Sequence, residues 1–212
     1  MRVLSGALGI PKATVEQHDR NLLVAGFRSK RGRGWAAPNV TARDIAHLIT
    51  AILGSPQVKD SAATVRRYNA TKVRPNASSK GLFAEIGIEE LAALPVGHSF
   101  VDALEALFTA TSTGSLEGKL AAKARKERTD KIWVAPTITI EALAPGTEGS
   151  VSIGGDGVIA VATYQPPRDA SRSRLQRGKH RHVHGDLEEY RRISEKTILR
   201  VADLLIPSKE ET

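Results

Sequence analysis

Residues 6–26 read GALGIPKATVEQHDRNLLVAG. Pro11 follows Leu8, Gly9 and Ile10, and proline suits the first position of a helix, where its missing N–H is no loss. Gly9 has no Cβ and can take the left-handed conformation that a tight turn between helices needs. Ser5, four residues earlier, is small where two helices must approach closely. Val15 and Leu22 are seven apart and share one side of a helix over 12–23. Two helices joined at Gly9 are therefore expected, the second turning Lys12, Ala13, Thr14, Gln17, His18 and Asn21 toward its other face. Lys, Thr, Gln and Asn side chains reach phosphates and base edges of DNA. A plain helical hairpin with a wet polar side fits the same residues.

Charge is unevenly spread. The 212 residues carry 31 Lys or Arg against 23 Asp or Glu, a net +8. Residues 1–76 hold 13 basic side chains against four acidic ones (Glu16, Asp19, Asp44, Asp60), a balance of +9, and the other 136 residues hold 18 against 19. All of the positive excess lies in the third of the chain that contains the helical pair, the footprint of polyanion binding. Within it, Arg28, Lys30, Arg31 and Arg33 crowd six positions broken by Gly32, with Gly34 following. Like charges and glycine disfavour a helix there. A basic hairpin tip over 28–34, anchored by Phe27 and Trp35, would grip phosphate or enter a minor groove; a loose basic loop is the plainer alternative.

LGIPKATV, then LLVAGF and a basic hairpin, resembles the winged helix-turn-helix domains of bacterial and phage transcriptional regulators, including the isocitrate-lyase-regulator type. The likeness covers roughly residues 2–40. It implies that Lys12, Ala13, Thr14, Gln17 and His18 face the major groove and that Arg28 to Arg33 form the wing. Two departures stand out. His18 and Asp19 occupy positions usually apolar in that family, with Asp19 expected to pair with a neighbouring Arg. That family also has a helix before the first one seen here, where this sequence has Met1. Either the true start lies upstream, or a later helix completes the core.

TARDIAHLITAILGS supplies one such helix. Thr41 and Asp44 form a capping pair, Ile45, Leu48, Ile49 and Ile52 make one apolar face, and Gly54 closes it. His47 reads as a surface or boundary residue. Residues 61–69 suggest another short helix, whose Arg66 and Arg67 could touch DNA backbone, and 69–79 read as a turn-rich linker. From Ile88 a short helix, a Pro95–Gly97 break and a longer helix capped by Ser99 follow, with Phe100, Leu104, Leu107 and Phe108 as its buried stripe. A third helix is expected from Leu116 to Asp130. Ile132, Val134, Ile138 and Ile140 then alternate as a strand, and VSI, GGDG and VIAVATYQ continue as a hairpin turning at Asp156-Gly157.

The expected fold class is α+β: an N-terminal winged helix-turn-helix, a helical middle, a small antiparallel β-meander and a C-terminal amphipathic helix. The corresponding segments are 1–76, a basic DNA-binding region; 77–165, an α+β domain; 166–185, a basic flexible linker; and 186–212, the C-terminal helix. That helix, with Ile198, Val201, Ala202 and Leu205 on one side, could dock on the α+β unit or pair in a dimer.

Chemistry is sparse. There is no cysteine, so disulfides, iron–sulfur clusters and thiol nucleophiles are out. No phosphate loop, helical His-Glu-His set or Gly-x-Ser-x-Gly occurs. Glu85, Glu89 and Glu90 near His98 read as solvated charges. His180, His182 and His184 alternate in a Pro-, Ser- and Arg-rich stretch that lacks the second shell a metal site requires. No signal peptide or membrane-length apolar run is seen. The reading is thus a cytoplasmic, non-enzymatic, sequence-specific transcriptional regulator without metal or cofactor, binding double-stranded DNA as a homodimer. An oligomeric DNA-packaging protein like phage small terminase subunits is the alternative, and a protein-binding helical pair with an RNA-binding loop a third.

Overall fold

Two capping boxes begin the helices on which the rest packs. The structure, a computed structural model, describes residues 1–29, 40–74, 88–116, 118, 137–155, 158–167, 188–202 and 204–205. Helix α3 (Ala42–Gly54) starts at Thr41, whose side chain accepts the Asp44 N–H while Asp44 accepts the Thr41 N–H. A later helix, Phe100–Ser112, starts in the same way with Ser99 and Asp102. Each cap satisfies donors that a helix end leaves open, at about 1 kcal/mol apiece. Both helices are buried over most of their length.

Around them run α1 (Arg2–Leu8), α2 (Lys12–Val24), a short 3₁₀ turn (Val58–Asp60), α4 (Ser61–Asn69), β1 (Lys72–Val73), α5 (Glu89–Ala92), the helix α6 just introduced (Phe100–Ser112), β2 (Thr137–Ala144), β3 (Gly149–Gly155), β4 (Val158–Gln165), β5 (Glu189–Ser194) and α7 (Glu195–Ala202). Among the described residues the fold is α+β, with seven α-helices and one antiparallel sheet ordered β1-β4-β3-β2-β5. Ile138, Ile140, Val151, Ile153, Ala162, Tyr164 and Ile193 are buried, at the alternate positions that a sheet with one covered face requires. Helices α3 and α6 pack together and against the sheet.

Several expectations are corrected. Residues 69–74 are no linker: Thr71 is buried and β1 pairs with β4 through Lys72↔Gln165 and Val73↔Tyr164. The segment after 186 begins as a strand. Its charged Glu189–Ser194 stretch pairs with β2, Ile193 opposite Ile140, before α7 starts at Glu195. Pairing with a strand fifty residues away overrides a composition that reads as helical. The first meander strand runs 137–144; the part of the expected strand before 137, nearly all of the helix expected over 116–130, Asp156-Gly157 and residues 168–185 of the linker lie outside the described residues. The boundary drawn after residue 76 is also crossed: β1 belongs to the sheet, α3 packs on α6, and α7 packs on α1. A single hydrophobic cluster runs from Leu4 to Val201.

Tyr68 joins the helical and sheet layers. Its hydroxyl accepts the Leu143 N–H at 3.1 Å, and its one hydrogen faces both Leu143 O and Glu148 O at 2.9 Å. Burial pushes its ionisation above the usual tyrosine range. A Cβ on Gly54 would lie 2.6 Å from Tyr68 Cε2, so only glycine admits the ring. Tyr68→Phe removes the donor to the buried Leu143 O, while Glu148 O keeps the Leu143 N–H at 2.9 Å, and is expected to cost about 1–3 kcal/mol, read as a lower urea midpoint with an unchanged m-value; a midpoint within error of wild type would show that the hydroxyl is not the fastening.

Candidate nucleic-acid interface

The turn between α1 and α2 rests on Gly9, at φ 67° and ψ 25°, where a side chain would be strained. Ser5 O accepts the N–H groups of Gly9 and Ile10, and Ser5 Oγ donates to Ile10 O at 2.7 Å. This closes α1 with a left-handed cap. Pro11 sits at the N-cap of α2, one position earlier than expected, with φ −56° and ψ 138°.

Helix α2 has two faces. Val15, His18 and Leu22 are buried, against α3, α4 and the 3₁₀ turn. Lys12, Ala13, Gln17 and Arg20 are exposed, and Thr14, Glu16 and Asn21 are half-buried. Along the outer face Lys12 Nζ lies 3.2 Å from Glu16 Oε1, Arg20 Nη1 donates to Gln17 Oε1 at 3.4 Å, and Gln17 Nε2 donates to Asn21 Oδ1 at 3.0 Å. These exposed pairs hold weakly and yield readily to a competing partner. Asn21 Nδ2 turns the other way and donates to Val58 O at 2.8 Å.

His18 and Arg28 do not face solvent as expected. His18 is 4% exposed, and its Nδ1 lies 2.8 Å from Ser61 Oγ. The Ser61 hydroxyl donates to Val58 O, so Nδ1 carries the hydrogen and donates to Oγ. Burial, followed by the charge of Arg191, brings the His18 pKa down to about 4. The ring is therefore a neutral core group fastening α2 to α4. Arg28 is 7% exposed. Its Nε donates to Asp19 Oδ1 at 2.6 Å, and Nη1 lies 3.7 Å from Asp44 Oδ2. Asp44 Oδ1 also accepts the Ser29 N–H at 2.9 Å. Burial alone would raise Asp44, but hydrogen bonds from Ser29 and Thr41, with the Arg28 charge, outweigh it and hold the carboxyl below its ordinary range. The two positions that depart from the family pattern thus have internal partners, and Asp19 pairs with an arginine as expected.

Of the residues named from sequence, Lys12, Ala13 and Gln17 lie together on the open face, with Thr14 and Asn21 at its margins. Lys30, Arg31 and Arg33 lie outside the described residues. Arg20 was missed, although it follows Ala13 by seven and Gln17 by three, a helical spacing visible in the sequence. Arg66 is exposed on α4, and its guanidinium carbon stands 5.5 Å from the centroid of the Phe27 ring. Phe27 is further held by His47, whose Nδ1 lies 2.7 Å from Phe27 O and whose ring meets it edge-on at 5.2 Å. His47 is therefore an internal residue, not a surface one, and burial lowers its pKa. The helix that completes the α1–α2 unit comes partly from the far end of the chain: α7 packs on α1, with Thr197 Oγ1 donating to Ala7 O at 3.3 Å.

No protein-family model, curated protein or solved structure matches the chain. No helix among the described residues is long and apolar enough to cross a membrane.

The depressed pKa of His18 gives a pH dependence of known sign. The unfolded chain takes up a proton near the ordinary histidine value of 6.5 and the folded chain only near 4. Stability is whole above the upper value and is lost as pH falls through this window, by up to about 3 kcal/mol for this group. His47 and His98 are lowered as well and add to the loss. Melting curves between pH 7 and 4 should show the fall, and His18→Gln should flatten it; equal slopes in variant and wild type would place a charged His18 in the folded state.

Proposed function

We propose that the protein is a sequence-specific DNA-binding transcriptional regulator that inserts the N-terminal half of α2 into the major groove. The observation that carries this reading is the open face of α2, where Lys12, Ala13, Gln17 and Arg20 are exposed behind a three-residue turn at Gly9, Ile10 and Pro11. N-terminal residues of a recognition helix are those that meet base edges. In this reading Gln17 addresses a base edge, Lys12 and Arg20 hold phosphates on either side, and Thr14 lies at the margin. Arg31, Arg33 and Lys30 add phosphate contacts from the segment that follows. His18, Asn21 and Arg28 act from behind, by fixing how α2 sits. The +9 balance of residues 1–76 supplies the long-range attraction. Homodimerisation through the remainder of the chain would place two such helices on a two-fold operator.

The test is sequencing of genomic fragments retained by the purified protein at roughly physiological salt, where non-specific binding is weak. A few sharp peaks sharing a half-site are expected, together with a dimeric mass in solution; uniform retention, or none, would reduce the interface to a basic surface. On a bound fragment, Lys12→Ala/Arg20→Ala should weaken binding to all duplexes and lower the salt slope by about one unit per lost phosphate contact, while Gln17→Ala should relax the sequence preference. Unaltered affinity in the double variant would rule out α2 as the reading helix.

A further inference from the structure

Strand β5 ends one side of the sheet: among the described residues its strand partner is β2 alone. The charges along it are their own complement. Residues 188–192 read EEYRR, two acids, a tyrosine and two arginines. From this we infer that β5 pairs antiparallel with β5 of a second copy about a two-fold axis at Tyr190, joining the sheets of two chains into one. The inference rests on the dimer reading above and names its surface; it does not rest on α2 meeting DNA.

Two conditions set the register. Directly opposed residues of an antiparallel pair share a face of the sheet. On β5 the covered face holds Glu189, Arg191 and Ile193: Ile193 is buried, and Arg191 Nη1 donates to Ile52 O at 2.9 Å and to Ser55 O at 2.8 Å, at the end of α3. Tyr190 and Arg192 lie on the other face, where Arg192 Nε stands 3.4 Å from Glu141 Oε1. A two-fold that keeps like faces together must therefore pass through a residue, not between two. Centred on Tyr190, it sets Glu188 against the partner's Arg192 and Glu189 against the partner's Arg191. Centred on Glu189 or Arg191, it would set that residue against its own copy. A parallel pairing in register puts like on like at all four charged positions. Opposed unlike charges stabilise a strand pair and like charges destabilise it, so the Tyr190 register is the favoured one.

Native edge strands are commonly guarded by charge. A row of one sign rejects a second copy, whereas EEYRR in this register accepts one. Glu188, Glu189, Tyr190 and Arg192 are exposed. On the covered face Glu189 already holds Arg191 of its own chain through both carboxylate oxygens at 2.9 Å, so two such pairs would stand side by side with alternating sign. Glu188 and Arg192 make the discriminating contact.

Sedimentation of the full chain without DNA tests the inference. Wild type should dimerise with Kd at or below about 100 µM, as a small interface can. Arg192→Glu and Glu188→Arg should each raise Kd about tenfold or more, since each puts two like-charge pairs at the interface. Mixed one to one, the two variants should recover the wild-type Kd, because each then meets its opposite. The chain has no cysteine, so Tyr190→Cys adds one at the axis, where mild oxidation should link it to its copy. Arg192→Cys should not link to itself, its copies lying roughly 13 Å apart against a disulfide limit of about 7 Å. A monomer at about 1 mM overturns the inference and the dimer reading together. A dimer that ignores both reversals, is not restored by mixing, or links through Arg192→Cys as readily as through Tyr190→Cys overturns the inference and leaves the dimer reading standing.

Discussion

A guanidinium removed from water has to be matched, and the N-terminal unit is arranged around matching Arg28. Its partners come from two elements: Asp19 from α2 and Asp44 from the first turn of α3. Asp44 simultaneously caps α3 and holds the Ser29 N–H. One carboxylate therefore fixes a helix start, a buried cation and the backbone leaving α2. Removing one member of such a buried group leaves an uncompensated charge, at about 3–5 kcal/mol. The orientation of α2, and with it the open face that carries the proposed contacts, follows from this knot and from the His18–Ser61 bond on the same helix.

A second polar chain ties that unit to the rest. Arg43 Nη1 donates to Asp102 at 2.6 Å and Glu105 at 2.8 Å, and its Nη2 donates to Asn69 Oδ1 at 3.1 Å. Asn69 Nδ2 lies 3.4 Å from His47 Nε2, and His47 Nδ1 reaches Phe27 O. With Nδ1 protonated, His47 donates to Phe27 O and accepts at Nε2 from Asn69. It runs from α6 across α3 and α4 to Phe27, three residues past the end of α2, so the carboxylates of one helix help position the exit of another.

The parts legible from sequence are those whose signal is local. Gly9 and Pro11 announce the turn, Thr41/Asp44 and Ser99/Asp102 announce two helix starts, and alternation in Ile138 and Ile140 announces a strand. What escaped depends on partners distant in the chain. Residues 189–194 are charged and become a strand only because β2 offers its open edge, and β1 is two residues long and exists only against β4. At the candidate interface the polar spacing on α2 was readable, but polarity alone could not separate Gln17, which faces out, from His18 and Asn21, which bond to Ser61 and Val58. Arg28 reads as one of a run of basic residues, and its burial depends on two aspartates contributed by other parts of the fold.

The docking of α7 on α1 bears on how the chain is made. Thr197 and Ala7 are 190 positions apart, and a ribosome adding about 5–20 residues per second needs roughly 10–40 seconds to cover that interval. Throughout that time the α1 surface that α7 will cover is bare, whereas α2, α3 and α4 have one another once residue 69 has been added. Helix α1 is thus completed only once α7 has been made, and until then its apolar side is open to chaperones and to other nascent chains.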